Sequence, residues 1–183
     1  EFDSYSLIPS LTVPKGMGFG LKYSIDGKTK IYNVFGALDK QSFQDRSQLD
    51  MGFGDENALR ELSTHEFAHS FVNHVVDQIP RVLISATSVL FEPIKAKMSE
   101  QAYNTWEVCL YEHFVRAGEV AIAEIMGDYI AAEALKRRYI ESRKFVYLPI
   151  FLEELDRYRS NKKMPYLDFV NNAMERLRRV VEG

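Results

Sequence analysis

An α+β fold, with a small sheet in front and a mainly helical body behind it, is predicted by three features of this sequence. Glycine crowds the front: seven of the ten (Gly16, Gly18, Gly20, Gly27, Gly36, Gly52 and Gly54) lie before residue 55. The same stretch holds short β-type runs, whereas beyond residue 55 apolar side chains recur at helical spacing. The 183 residues are 46% apolar and 27% charged, a soluble globular balance, and their number suits one domain. The expectation is a single domain over 1–183, with sheet and loops in 1–55 and helices in 56–183.

The elements follow in order. Runs 7–13, 20–25 and 30–35 are strand-like, and Asp26-Gly27 between the last two is a strong hairpin signal. Residues 5–37 therefore read as a small antiparallel sheet, and 38–55 as a glycine-punctuated loop. Asp55 or Asn57 is placed to cap a helix that runs to Pro80, with Leu59, Leu62, Phe67, Phe71, Val72 and Val75 on its apolar side. A helical stretch over 81–99 is interrupted at Pro93, and a long helix is expected over 103–142. Pro149 and Pro165 stand where first-turn prolines belong, opening helices over 149–160 and 165–181. The aromatic residues of 145–169 fall at helical spacing and read as helix core.

Charge argues against some partners. There are 23 basic and 26 acidic side chains, a net charge of −3, so the strong basic excess of a polyanion-binding domain is missing and nucleic acid is not the expected partner. Residues 131–183 are locally basic, including Lys136-Arg137-Arg138, but interspersed acids make this a solvated helix face. Cys109 is the only cysteine, which precludes an intrachain disulfide. No segment has the roughly 18 continuous apolar residues of a membrane span. The chain opens on Glu1-Phe2-Asp3-Ser4 without an apolar signal region, so any export signal would lie upstream.

Three of the four histidines lie within ten residues, in a run that contains His65-Glu66-x-x-His69. Positions i and i+4 of a helix differ by about 40° around the axis and about 6 Å along it, so both imidazoles leave the same face. That suits two neighbouring sites on a tetrahedral Zn²⁺. Glu66, about 100° from His65 around the helix, is placed to reach a water on the metal without ligating the metal. Zinc acidifies that water, and a carboxylate takes its proton, which is the chemistry of the metallopeptidase helix. With four His and 16 Glu in the chain, the pattern arises by chance in roughly 1% of shuffled sequences.

A third ligand is needed. The extended pattern with a third His fails, because position 72 is Val in place of Gly and position 75 is Val in place of His. His74 lies about 140° around the helix from His69 and faces away. A Glu from a later helix gives the His₂Glu set of thermolysin-like enzymes, and Glu107, Glu112, Glu119 and Glu124 are available. Glu124, in Glu124-Ile125-Met126-Gly127-Asp128, matches one Glu-x-x-x-Asp pattern, while Glu112 in Tyr111-Glu112-His113-Phe114-Val115-Arg116-Ala117 matches another ligand helix.

The stretch 65–73, followed by a Trp-bearing helix with Glu112-His113-x-x-Arg116-Ala117, resembles a bacterial (Bacteroidetes-type) family of uncharacterised gluzincin-like zinc metallopeptidases. The likeness covers roughly residues 5–120 and rests on those two motifs; it departs at His74, where many members look to carry Pro. It implies a zincin-like fold, His65 and His69 as metal ligands, Glu66 as the general base and Glu112 as the third ligand. It also implies export, to the periplasm, the envelope or the medium.

The expected activity is zinc-dependent hydrolysis of peptide bonds in a peptide or protein substrate. Arg116, one turn from Glu112, would orient that carboxylate or meet the substrate. His113 would be a transition-state donor or a packed core residue, and Tyr103 and Tyr111 are further candidate donors. Residues 31–36 would form an edge strand pairing with an extended substrate, or a plain structural strand. Two competing functions remain: a zinc-binding domain without turnover, and a helical interaction module in which the motif is incidental.

Overall fold

The computed structural model describes every residue except 1, 45, 46, 48 and 162. Three strands come first and helices make up the rest, as expected of an α+β chain. The chain divides into two compact units, Glu1–Phe71 and Val72–Gly183.

In the first unit, β1 (Ser4–Pro9), β2 (Gly18–Ile25) and β3 (Lys28–Phe35) form one sheet in the order β1-β3-β2. The hairpin between β2 and β3 turns at Asp26 and Gly27, whose φ values of 52° and 73° are both positive, as a type I′ turn requires. The sheet is mixed, not antiparallel as expected, because β1 runs parallel to β3. Residues 10–17 carry the chain around the end of β3: Ser10 donates its N–H to the Phe35 carbonyl at 2.8 Å, and Gly36 donates its N–H to the Met17 carbonyl at 2.9 Å. This crossing brings β2 to the far side of β3, which leaves β1 on the opposite edge. Gly36 makes the crossing possible, since a Cβ there would stand 2.2 Å from the Pro14 carbonyl oxygen.

The topology also corrects the expected substrate edge. Residues 31–36 belong largely to β3, which bonds to strands on both sides. Its backbone groups are taken up by the ladder, so β3 has no free edge for a peptide; the edges are β1 and β2.

α1 (Glu56–Val76) begins where the Asp55 carboxylate accepts the Ala58 N–H at 2.9 Å, an N-cap that settles the choice between Asp55 and Asn57. Alternation along β3 buries Ile31, Asn33 and Phe35. Residues 62–71 of α1 cover this side of the sheet. Phe67 meets Tyr5 edge-on at 5.3 Å, and Phe71 meets Phe2 at 4.8 Å. The Asn33 amide donates to the Ser63 hydroxyl at 3.2 Å.

The second unit is helical: α2 (Arg81–Thr87), a 3₁₀ turn (Ser88–Phe91), α3 (Lys95–Ser99), α4 (Trp106–Ile125), α5 (Tyr129–Arg137), a π turn (Arg138–Ser142), α6 (Leu148–Ser160) and α7 (Tyr166–Glu182). The predicted long helix over 103–142 is in fact three pieces. Gly127 at φ 79° ends α4, and the Asp128 carboxylate caps α5 by accepting the Ala131 N–H at 3.0 Å. α4 packs against α5 and α6, and α7 against α2 and α6. Trp106 anchors the start of α4 by donating its indole N–H to the Thr87 hydroxyl at 3.0 Å. Phe114, Phe151 and Phe169 interlock edge to face at the centre. No helix among the described residues is long and apolar enough to cross a membrane.

Candidate functional site

α1 sets His65 and His69 one turn apart, and their Nε2 atoms face each other at 3.3 Å with the rings nearly perpendicular, at 83°. Two nitrogens held at 2.0–2.1 Å from a tetrahedral centre stand about 3.3–3.4 Å apart. The pair therefore has the spacing of two neighbouring zinc ligands. An N–H···N hydrogen bond accounts for the same approach in the metal-free state. Both rings are half-buried.

Glu66 is fixed from outside its helix. Its Oε2 accepts the backbone N–H of Gly20 at 3.1 Å. Gly20 pairs with Asn33 in the β2–β3 ladder, and a strand residue whose N–H bonds elsewhere faces the outer edge of its strand. The strand passes so close that a Cβ on Gly20 would lie 3.0 Å from the Glu66 carbonyl oxygen. His74 is exposed and its carbonyl accepts from Gln78; its ring does not join the His65–His69 pair.

On α4, Glu112, Arg116 and Glu119 lie on successive turns and are buried. Arg116 donates to Glu112 Oε2 at 3.3 Å and to Glu119 Oε2 at 3.1 Å. Its guanidinium lies 4.9 Å from the centre of the Tyr139 ring, and the Tyr139 hydroxyl donates to Glu119 Oε2 at 2.8 Å. The Tyr103 hydroxyl accepts from Arg116 at 3.4 Å. Burial works against the Arg116 charge, but Glu119, Tyr139 and Glu112 outweigh it and raise its pKa. Of the two contacts expected for Arg116, the one to Glu112 is formed, and the residue is only 5% exposed.

His113 belongs to the core and not to a reacting site. It is wholly buried, stacks on Phe151 at 5.1 Å and meets Phe145 edge-on at 4.8 Å. Its Nδ1–H donates to the Cys109 carbonyl at 2.8 Å. Burial pulls its pKa down to about 4, so the ring is neutral at pH 7. A side chain without solvent exposure cannot serve as a transition-state donor to substrate, and the packed alternative describes it. Tyr111 commits its hydroxyl to Asp77. Burial, then Glu112, pushes the Tyr103 hydroxyl up to about 12.

The rival Glu124 is engaged differently. Arg159 donates to its Oε2 at 2.7 Å and Lys136 approaches Oε1 at 3.0 Å. The Arg159 hydrogen bond, against a smaller cost of burial and with help from Lys136, holds this carboxyl below its ordinary range. The partners of Arg116 beyond Glu112 carry no signal in the sequence: Glu119 is one of four candidate carboxylates, and Tyr139 has no local pattern.

A comparison with curated proteins finds no match, and neither does one with solved structures. One family model does match, over residues 4–169, and its description, a domain of unknown function (DUF4932), names no activity. The match takes in the strands, the His-Glu helix and most of the helical unit, and the chain belongs to the DUF4932 family.

Proposed function

We propose that this chain is a zinc-dependent peptidase in which His65, His69 and Glu112 hold the metal and Glu66 is the general base. The observation that carries the reading is the 3.3 Å spacing of two Nε2 atoms on one helix face, with a carboxylate at the very next position. Two imidazoles and one carboxylate are the donor set of a catalytic zinc site. When bound, zinc lowers the pKa of water and polarises a carbonyl. Glu66 takes the proton of the attacking water and passes it to the leaving amine. Arg116 orients Glu112 through its hydrogen bond to Oε2. The same reading extends to a peptide or protein substrate and, through the bacterial resemblance, to an exported location.

A second reading is a zinc-binding domain without turnover. The Gly20–Glu66 hydrogen bond favours it, because Glu66 would then simply tie a strand to a helix. One pair of measurements separates the two. Metal analysis of the wild type should find one zinc per chain. Glu66→Gln should keep that zinc and lose about 10²–10⁴-fold in hydrolysis of an unfolded protein substrate. Wild-type protein without zinc, or a variant that cleaves equally well, would overturn the peptidase reading. Zinc with no cleavage in the wild type selects the second.

A further inference from the structure

Arg116 is held more firmly than an ion pair with Glu112 requires. We propose that Tyr139, Glu119 and Arg116 act as positioning residues, a relay that fixes the Glu112 carboxylate for metal binding. The proposal rests on the reading of Glu112 as third ligand. An ordinary Glu-Arg pair at i, i+4 leaves both long side chains several rotamers and is worth little. Here the guanidinium is gripped from other directions as well. Glu119 accepts from its Nη1 with both oxygens, at 3.3 and 3.1 Å. Tyr139 covers its face, and the Tyr103 hydroxyl accepts from its Nη2.

The relay extends one residue further. Glu119 is itself fixed by the Tyr139 hydroxyl at 2.8 Å, and Tyr139 is wholly buried in the π turn Arg138–Ser142. Such turns inside helical chain are uncommon and recur near functional sites. Stability alone is a poor reason for the arrangement. Two carboxylates and a guanidinium in an interior carry a desolvation cost that apolar side chains of the same volume avoid. Orientation is a better reason, because a ligating carboxylate must be held within about 0.5 Å of its working geometry by the residues behind it.

The test uses the full chain, stripped of metal by a chelator. Zinc affinity is measured by competition with a chromophoric chelator, and the melting of each apo protein is recorded beside it. Glu119→Gln should weaken zinc binding by about ten-fold or more, as loss of an outer partner of a ligand typically does. Tyr139→Phe keeps the ring over Arg116 and removes only the hydroxyl; it should weaken zinc in the same direction and alter the visible bands of the Co²⁺-substituted protein. If Glu119→Gln does not fold, Tyr139→Phe decides alone. Wild-type zinc affinity and wild-type cobalt bands in the folded variants overturn the relay while leaving the metal site standing, even where apo melting falls. A wild type that takes up no zinc overturns the site itself, and the relay with it.

Discussion

Gly20 donates its backbone N–H to the Glu66 carboxylate at 3.1 Å, so the acid of the His-Glu motif is oriented by an edge strand and not by its own helix. Glycine is required there for proximity, not for an unusual φ. Its missing side chain lets β2 come within hydrogen-bonding reach of Glu66, while Gly18 lets the same strand pass Leu62.

Gly20→Ala therefore separates strand from helix. The new Cβ would sit 3.0 Å from the Glu66 carbonyl oxygen, and backbone on both sides has to yield. Overpacking of this kind costs about 1–3 kcal/mol. Urea unfolding should show that loss, and hydrolysis should fall with it as Glu66 loses its donor. Gly54→Ala is the control, because no atom lies within 4 Å of its Cβ position. Equal stability of the two variants would show that the close approach is unimportant.

Asn33 is wholly buried beneath α1, with its amide on the Ser63 hydroxyl at 3.2 Å. Removing one partner of a buried hydrogen bond strands the other at about 1–3 kcal/mol, whereas removing both can be nearly neutral. Ser63→Ala alone should thus destabilise, and Asn33→Leu combined with Ser63→Ala should recover much of the loss. A double-mutant cycle by chemical denaturation measures the coupling. Additive effects would mean that the bond contributes nothing.

His113 gives the fold an acid sensitivity with a definite sign. Its pKa is near 6.5 when unfolded and about 4 in the folded core, chiefly because burial disfavours the imidazolium. Between those values the unfolded chain binds the extra proton, so stability rises with pH. The His113 contribution is full above pH 6.5 and is lost progressively as pH falls to 4, by about 3 kcal/mol. Metal-free wild type should show this slope in denaturation midpoints between pH 7 and 4.5. In His113→Phe the slope should be shallower, whatever the absolute stability. An unchanged slope would place the acid sensitivity elsewhere.

Elements governed by local chemistry were legible in the sequence. Asp26-Gly27 reads as a two-residue hairpin, Asp55 as a cap, and Pro149 and Pro165 as helix openings, because each acts on neighbouring backbone. His65 and His69 share a face for the same reason. What escaped was non-local. Alternation marks a strand without naming its neighbours, so the parallel pairing of β1 and the central place of β3 were hidden. Gly127-Asp128 does carry a stop-and-cap signal, but the apolar period runs on past it and masks the break. The grip of Tyr139 on Glu119 joins residues 20 apart through the π turn, and no spacing rule anticipates it.

The choice between Glu112 and Glu124 as third ligand can be settled by metal affinity. Glu124 has both oxygens engaged by cations, Arg159 on one and Lys136 on the other, so ligation through it would first break two ion pairs. Glu112 is buried, with the Arg116 guanidinium donating to its Oε2. Glu112→Gln should therefore weaken zinc by more than about 100-fold, beyond what loss of an outer partner produces. Glu124→Gln should leave zinc affinity essentially unchanged while lowering stability slightly, since its ion pairs are partly exposed. Apo melting curves guard against misfolding, because Arg116 keeps Glu119 as a partner when Glu112 is neutralised. Loss of zinc in Glu124→Gln with retention in Glu112→Gln would transfer the ligand role to the end of α4 and leave the buried Glu112–Arg116–Glu119 cluster a feature of the core.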